Sequence, residues 1–297
     1  MSRDDKTYCG FIAVMGRPNV GKSTLLNGIL QKKISITSHK PQTTRRQVLG
    51  VKTIGNKQMV WVDTPGIHAQ AKKALNKFMN QSARQALIDV NVMVFVVEAL
   101  RWTEEDEQVL QLLLKQEAPL IIVVNKVDKI KNKSELLPFL EKLHDNAPNA
   151  EIIPLSALKG EQIECLEQSI LDKMPEDVFY FAKDSNSNQS KSFHMSEIVR
   201  EKLMRTLEQE VPYSIAVEIE KFEDTDKITH VHALIWVERD AQKGIVVGKG
   251  GAQLKKVGTS ARLDLEKFLG KKVCLKLWVK VKANWADQAS LLETMVG

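Results

Sequence analysis

The sequence predicts an α/β domain with a mostly parallel sheet and helices on both faces, followed by a smaller α+β domain. Across residues 9–174, short continuous apolar runs alternate with helical patterns, as in a parallel sheet covered on both sides. A polar segment without periodicity, Lys183–Lys191, is typical of a linker. Beyond it, the patterns run helix, strand, strand, helix, helix, strand. We therefore expect a larger domain at 1–180, a linker at 181–194 and a smaller domain with a C-terminal tail at 195–297.

The elements of the larger region follow from its apolar patterns, because β-branched runs favour strands and a period of 3.6 residues favours helices. The predicted strands are Phe11–Met15, Met59–Val62, Val92–Val97, Leu120–Val124 and Ile152–Pro154. The predicted helices lie at about 22–31, 74–88, 104–117, 134–145 and 161–173. In such a sheet, ligands bind at the carboxyl ends of the strands, so the residues that follow each strand are the candidates for a site.

The smaller region has its own order of elements and shows no internal repeat. A helix at about 195–209 is expected before strands at Tyr213–Phe222 and Thr229–Glu238. A second helical part, which includes a helix at about 253–268, then leads to a strand at Val273–Lys282.

Composition favours an ordinary globular protein, with 43% hydrophobic and 27% charged residues and a formal net charge of +6. The charge is concentrated in Arg239–Lys282, where twelve basic and three acidic side chains give a local net charge of +9. Such a block indicates a polyanionic partner, either nucleic acid or anionic lipid. The alternative on charge alone is a solvated helix face.

Cysteine usage and apolar runs indicate the compartment. Cys9, Cys165 and Cys274 are far apart and form no CxxC pair, which argues against a disulfide framework or a zinc site. The first ten residues contain no apolar segment typical of a secretion signal, and the longest apolar runs are too short to cross a bilayer. We expect a cytoplasmic protein, which is still able to contact a membrane surface.

The segment Gly16–Ser23 matches the phosphate-binding P-loop pattern G-x4-G-K-[ST], directly after a predicted strand and at the start of a helix. Glycines let successive backbone N–H groups point at phosphate oxygens, and the helix N-terminus favours negative charge. Lys22 is expected to reach the β- and γ-phosphates, and the Ser23 hydroxyl to bind Mg²⁺. A glycine-rich turn without a ligand is the alternative. The predicted contacts are Gly16, Arg17, Pro18, Asn19, Val20, Gly21, Lys22, Ser23 and Thr24.

The base is predicted to be guanine. Asn125, Lys126, Val127 and Asp128 follow an apolar strand, and the Asp128 carboxylate is able to accept hydrogen bonds from both guanine N1–H and its exocyclic amine. Adenine lacks this pair of donors, so it would leave the carboxylate unpaired. The residues after the last strand, Ser156, Ala157 and Leu158, are expected to offer backbone contacts to the base.

Two further segments are expected to sense the γ-phosphate. Asp63, after the strand Met59–Val62, would hold Mg²⁺ through water, and the Gly66 N–H would contact the γ-phosphate. The neighbouring predicted contacts are Thr64, Pro65 and Ile67. A polar stretch at 40–46 is the expected switch I, in which we favour Thr44 over Thr43 as the metal ligand.

These five elements, in this order over residues 9–174, resemble the translation-factor-related branch of P-loop GTPases. In Ras-like members a Gln follows the switch II glycine and orients the attacking water, whereas this chain has Ile67. GTPases with Asn at the position of Asn19 resemble those in which K⁺ replaces an arginine finger; the alternative is that Asn19 only favours the turn. Arg45 and Arg46 are also candidates. The residues expected to serve hydrolysis are Lys22, Thr44, Asn19 and Gly66.

The smaller domain carries a GxxG motif, Gly248–Gly251, between apolar residues and before a basic helix. In KH domains a GXXG loop clamps the backbone of about four nucleotides. The element order resembles the prokaryotic, type II KH domain. The expected RNA contacts are Gly248, Lys249, Gly250, Gly251, Lys255 and Lys256.

The pairing of such a GTPase with a type II KH domain resembles the Era family, bacterial GTPases of small-subunit assembly. The segments that carry the resemblance are Gly16–Asn27, Pro41–Arg45, Val62–Gly66, Asn125–Asp128, Ser196–Met204, Leu277–Lys282 and Trp285. The resemblance implies GTP hydrolysis with Mg²⁺ and with K⁺ as a candidate second cofactor. It also implies binding to the 3′ region of 16S ribosomal RNA during maturation of the 30S subunit. It also implies a monomer with weak peripheral association at the cytoplasmic face of the inner membrane.

Two competing functions and one ambiguity stay open. The chain would instead regulate messenger RNA if nucleotide were only a structural ligand, but the switch residues argue against this. A membrane-surface GTPase would use the basic block on lipids, although a long amphipathic helix with aromatic anchors is missing. Trp236, Trp278 and Trp285 either stack on bases or pack in the protein; Trp236 and Trp278 lie in strand patterns, which favours packing.

Overall fold

The described residues of the computed structural model are those outside 1–5, 39, 41–43, 46–47, 66–78, 82, 84, 186, 188, 209–210, 284 and 286–297. They form two units. The first comprises the described residues of 6–35, 44–65 and 79–187, and the second comprises those of 36–40 and 189–285.

The first unit contains every strand that the sequence predicts for it, and one more. The strands are β1 (Tyr8–Met15), β2 (Val48–Ile54), β3 (Lys57–Asp63), β4 (Val92–Glu98), β5 (Leu120–Asn125) and β6 (Glu151–Pro154). The helices are α1 (Lys22–Leu30), α2 (Glu104–Leu113), α3 (Leu136–Asn146) and α4 (Ile163–Leu171). Of the predicted helix at 74–88, residues 79–81, 83 and 85 are helical and the others lie largely outside the described part.

The sheet of the first unit has the order β2-β3-β1-β4-β5-β6. All neighbours are parallel except β2 and β3, which pair antiparallel as a hairpin over Gly55 and Asn56. The parallel strands therefore end at one common edge, as the alternation of strands and helices predicts. The loops that follow β1, β3, β5 and β6 are the ones that carry the predicted site residues.

The core of the first unit consists of the parallel strands and the helices on them. Strands β4 and β5 are buried at nearly every residue, which explains why their sequences are continuously apolar. Trp61 and Phe95 are its largest fully buried side chains, and burying each such side chain contributes about 1.5–3 kcal/mol. This packing gives the loops at the carboxyl edge a rigid base.

The second unit has the predicted order of elements, with α5 (Lys191–Thr206), β7 (Ala216–Asp224), β8 (Ile228–Val237), α6 (Asp240–Val247), α7 (Ala252–Leu269) and β9 (Lys272–Val281). Its sheet has the order β7-β8-β9, antiparallel and then parallel. Helix α5 begins four residues before the expected start at 195, because the Ser190 side chain accepts a hydrogen bond from the Phe193 N–H (3.1 Å) and caps the helix.

The helices of the second unit cover one face of its sheet. Val231, Ala233 and Ile235 of β8 are fully buried in one cluster with residues of α5, α6 and α7. Trp285 is also fully buried, and its Nε1–H lies 3.3 Å from the Ser214 carbonyl oxygen, so this residue packs and is not free to stack on a base. Among the helices that the structure describes, none combines the length and apolarity needed to cross a membrane.

Candidate functional site

The loop between β1 and α1 has a backbone that only glycine accommodates at two places. Gly16 has φ +145°, and a Cβ there would lie 2.4 Å from the Val96 carbonyl oxygen. Gly21 has φ +107°, and a Cβ there would lie 2.2 Å from Asn125 Nδ2. Contacts this short leave no room for a side chain, so the two glycines of the motif are required by the packing of the loop itself.

Lys22 begins α1 and folds back into the loop. Its Nζ donates hydrogen bonds to the carbonyl oxygens of Gly16 (2.9 Å) and Arg17 (3.0 Å). Burial lowers the pKa of Lys22 to about 8, although the nearby Asp63 carboxylate works in the opposite direction. The side chain therefore presents a poorly solvated cation inside the loop, where phosphate oxygens would be strong partners.

Three oxygen-bearing side chains from separate elements meet beside Lys22. The Ser23 and Thr44 hydroxyl oxygens are 2.9 Å apart, and they lie 3.2 Å and 3.4 Å from Asp63 Oδ2. Thr44 is the residue favoured from the sequence as the switch I ligand, and its alternative, Thr43, lies outside the described residues. The arrangement brings together all three residues expected to bind the metal.

Asp63 at the end of β3 is suited to hold a hydrated cation. It is fully buried, and its Oδ1 has no hydrogen-bond partner among the described residues. Burial raises the pKa of Asp63, while the Lys22 charge and the Ser23 and Thr44 hydroxyls counteract this. Hard oxygen donors with one unsatisfied carboxylate oxygen fit Mg²⁺, which keeps several waters.

The guanine motif connects three loops. Asn125, the last residue of β5, donates from Nδ2 to the Val20 carbonyl (2.7 Å) and accepts at Oδ1 from the Ala157 N–H (3.0 Å). The Ser156 hydroxyl donates to Asp128 Oδ1 (2.6 Å), which orients that carboxylate. Asn125 thus ties the P-loop to the loop after β6. Ser156, predicted to offer its backbone to the base, also orients Asp128 through its side chain.

A buried ion network behind the P-loop is not predicted from the sequence. The Arg17 guanidinium contacts Asp106 Oδ2 (3.0 Å) and Glu98 Oε2 (3.1 Å), and Lys126 Nζ contacts Glu98 Oε1 (3.0 Å). Although burial opposes ionisation, the hydrogen bonds from Lys126 and Arg17 hold the pKa of Glu98 below its usual value. Glu98 therefore links the P-loop to the guanine motif, and Arg17 turns its side chain into the protein.

The signals that point to this network are local but weak. Asp106 forms a capping box with Thr103, the N-cap of α2, and this pattern is readable from the sequence. Glu98 stands at the carboxyl end of a strand. Nothing in the sequence shows that either carboxylate meets Arg17, which precedes them by more than 80 residues.

The other predicted site residues differ in their exposure and in whether the structure describes them. Asn19 is exposed with φ +66°, a left-handed conformation that Asn tolerates, so the turn geometry alone accounts for an Asn here. Leu158 is 76% exposed beside the guanine motif, and Arg45 is buried. Gly66, Ile67 and Arg46 lie outside the described residues. Thr24 lies in the first turn of α1, Val127 begins a short 3-10 helix after β5, and Pro18, Thr64 and Pro65 lie in loops. Thr64 is fully buried, and its hydroxyl donates to the Val14 carbonyl (2.7 Å).

In the second unit, the GxxG motif forms a tight loop between α6 and α7. Its three glycines have positive φ angles of +74°, +60° and +79° at Gly248, Gly250 and Gly251. A Cβ at Gly248 would lie 2.6 Å from Gln253 Cβ, whereas one at Gly250 would meet nothing within 4 Å. Lys249, Lys255 and Lys256 are exposed, so the loop combines an accessible backbone with positive charge.

Comparison with known proteins identifies both domains. Residues 11–126 match the family model described as "50S ribosome-binding GTPase", and residues 210–286 match the KH domain model. GTPase Era of Coxiella burnetii (strain Dugway 5J108-111) is 55% identical over 289 residues, which cover 97% of this chain and 98% of that protein. The chain belongs to the Era family of GTPases. Era of Pseudomonas fluorescens (strain Pf0-1) is 49% identical over 99% of this chain and 98% of its own length.

Solved Era structures share the whole fold. A crystal structure of Era in complex with MgGDPNP and nucleotides 1506–1542 of 16S ribosomal RNA is 39% identical, with a TM-score of 0.93 over 97% of this chain and 98% of that one. A variant of Aquifex aeolicus Era bound to GDP·AlF4⁻ is 38% identical, with a TM-score of 0.93 over 97% and 99% of the two chains. The expected P-loop GTPase domain followed by a KH domain is thereby confirmed.

Proposed function

We propose that this Era-family GTPase binds the 3′ region of 16S ribosomal RNA through its KH domain and assists maturation of the 30S subunit, under the control of bound GTP or GDP. The observation that carries the proposal is the likeness over 97% of the chain to an Era structure that holds both MgGDPNP and 16S nucleotides 1506–1542. The chain supplies its own residues for both ligands, in separate units.

In the nucleotide site, the P-loop backbone from Gly16 to Thr24 surrounds the phosphates and Lys22 neutralises the β- and γ-phosphates. Ser23, Thr44 and Asp63 would hold Mg²⁺, which would supply positive charge to the phosphates. The convergence of their three oxygens within 3.4 Å supports this assignment. Asp128, oriented by Ser156, accepts from guanine. Gly66 reports the presence of the γ-phosphate.

In the RNA site, Gly248–Gly251 holds the sugar-phosphate backbone, and Lys249, Lys255 and Lys256 add charge. The exposure of the three lysines and the open space over Gly250 support this assignment. In this proposal the chain divides into a GTPase domain at 1–180, a linker at 181–194 and an RNA-binding domain at 195–297, although the linker is shorter than that, because α5 begins at Lys191.

Hydrolysis uses Lys22, Mg²⁺ and one further cation. K⁺ near Asn19 is the first candidate, because Asn19 is exposed at the loop and offers a carbonyl oxygen. Arg46 or a group supplied by the ribosome is the alternative. Arg45 is less suited, because it is buried.

The most direct test of this function is the identity of the RNA bound in the cell. The protein is crosslinked in living cells, purified, and its RNA mapped to the nucleotide. We expect the 3′ region of 16S ribosomal RNA to dominate in the wild type and to be lost in Gly250→Asp. A spread of messenger RNAs would support the regulatory alternative instead.

The family resemblance further implies a monomer, a cytoplasmic location and weak peripheral contact with the inner membrane. The basic block at 239–282 offers a surface for anionic lipid, but it serves RNA equally well. These three properties stay predictions, and the GTP-controlled binding of RNA requires none of them.

A further inference from the structure

The sheet of the KH domain has a second face, opposite the helices, with a distinct chemistry. On β8 and β9, every second residue packs into the core, and the residues between them point outward. Register places Trp236 beside Lys280, Leu234 beside Trp278, and His232 beside Lys276. We call the six residues Trp236, His232, Trp278, Lys276, Lys280 and Lys282 the outer sheet face.

Of the aromatic side chains of the outer sheet face, Trp278 is exposed and Trp236 and His232 are half-buried. Trp278 is 41% exposed, although Leu234 next to it is almost fully buried. Its ring lies 5.1 Å from that of His232, with the two ring planes inclined by 64°. An exposed tryptophan held in place by a neighbouring aromatic residue is suited to stack on a base.

Cations surround these rings along β9. The ammonium groups of Lys280 and Lys282 lie 6.0 Å and 5.5 Å from the centre of the Trp236 ring. Lys276 and Lys280 are both exposed and, four residues apart on one strand, are about 13 Å from each other. Positive charge and aromatic surface therefore alternate in one row, as in surfaces that bind single-stranded nucleic acid.

The opposite edge of the same face is acidic. Strand β7 presents Glu218, Glu220 and Glu223, with Glu218 accepting from Trp236 Nε1 (3.1 Å). A polyanion would therefore be attracted to β9 and repelled from β7. This difference in charge between the two edges predicts that the ligand runs along β9 and not along β7.

The outer sheet face is separate from the GxxG loop. Helices α6 and α7, which flank that loop, pack on the inner face through Val246, Val257 and Ala261. A GXXG loop holds about four nucleotides, so nucleotides on the outer sheet face must be different ones.

We propose that the outer sheet face binds unpaired nucleotides of the same RNA, outside the segment held by the GxxG loop. Trp278 stacks on a base and Lys276 contacts a phosphate. Lys280 contacts a second phosphate by exchanging its ion pair with Glu220 (3.8 Å) for the RNA backbone. This proposal rests on the proposed function of the KH domain. It adds a second contact, which lengthens the RNA segment that the domain recognises and makes binding depend on the order of nucleotides along the RNA.

The test compares two RNA lengths. Binding of the full protein is measured with the RNA of nucleotides 1506–1542 and with fragments shortened from either end. The shortest fragment used is the smallest one that the wild type still binds and that Gly250→Asp no longer binds. We expect Trp278→Ala to weaken binding of the long RNA about tenfold, as for the loss of one stacked base. Binding of the shortest fragment should be unchanged. Trp278→Phe should restore most of the loss.

The lysines are tested by salt dependence. Lys276→Gln should reduce the slope of log affinity against log salt by about 1 for the long RNA. Lys221→Gln is the matched control, because it removes the same charge from the acidic edge of the same face, where Lys221 pairs with Glu223 (2.7 Å). Lys221→Gln should leave the slope unchanged.

The outcomes separate the two proposals. If Gly250→Asp abolishes binding and Trp278→Ala has no effect on any length, or the same effect on all lengths, the outer sheet face is not an RNA site. If Trp278→Ala instead reduces binding only to vesicles of anionic phospholipid, the face serves a membrane. If the wild type fails to bind the long RNA, the proposed function fails first.

Discussion

At the scale of single residues, the nucleotide site depends on side chains that hold other side chains in place. Asn125 fixes two loops, Ser156 orients Asp128, and Glu98 bridges Arg17 and Lys126. The motif residues are readable from the sequence because their types and spacing are dictated by phosphate and guanine. Their partners are not, because contacts such as Arg17 to Asp106 exist only after the sheet has formed.

Asp128→Asn should weaken GTP binding sharply and admit xanthosine triphosphate. An amide is able to donate to the xanthine carbonyl, and its oxygen still accepts from the Ser156 hydroxyl. The affinities of wild type and variant for GTP, ATP and xanthosine triphosphate check this. Binding of ATP by the wild type would contradict the assignment of Asp128.

Glu98→Gln should weaken the binding of GDP and of GTP about equally, by about tenfold. The change leaves the Lys126 and Arg17 cations with one charged partner fewer in a partly buried place, while Asp106 still holds Arg17. Glu104→Gln, an exposed carboxylate on the first turn of α2, is the matched control. Affinity and thermal stability are measured together; a loss of stability without a loss of affinity would make Glu98 purely structural.

The question of the hydrolytic cation is also decided at one residue. We expect GTP hydrolysis to be faster in KCl than in NaCl at equal ionic strength and fixed Mg²⁺, by about tenfold or more. Asn19→Ala should remove the difference. Asn19 has φ +66°, so Asn19→Gly is a better variant than Asn19→Ala for this test: it keeps the turn and removes only the side chain. Equal rates in both salts would favour Arg46 or a group from the ribosome.

At the scale of elements, the sequence predicts most of the fold. Strands β4 and β5 are continuously apolar because both faces are covered, and that pattern is unmistakable. Strand β2 was not predicted, because Val48–Ile54 mixes Gly50, Lys52 and Thr53 with apolar residues and owes its conformation to pairing with β3. The outer sheet face illustrates the same limit: a strand pattern favours packing for Trp278, yet alternation places it on the open side.

The GxxG loop is tested as an element by Gly250→Asp. A Cβ at Gly250 meets nothing within 4 Å, and Asp is among the few residues that visit a φ near +60°, so the domain should fold with only a modest loss of stability. The added carboxylate would repel phosphate, so RNA binding should be abolished. GTP hydrolysis without RNA should stay within about twofold of the wild type, because the change lies in the other unit. Equal loss of both activities would point to misfolding.

At the scale of the whole molecule, one chain carries a nucleotide switch and an RNA-binding domain. The Thr44 hydroxyl lies 3.4 Å from Asp63 Oδ2, which fits the role proposed for these two residues in sensing the γ-phosphate. The central claim is therefore that nucleotide and RNA bind with a coupling free energy. Coupling of this kind is reciprocal, so either ligand can be used to measure it.

The most direct measurement is the affinity of the full chain for the RNA of nucleotides 1506–1542 with GDPNP and with GDP, both with Mg²⁺. We predict that the two affinities differ by about fivefold or more, and that this RNA changes the ratio of GDPNP to GDP affinity by the same factor. Identical RNA affinities in the two nucleotide states would contradict the account, because the chain would then bind both ligands without acting as a switch.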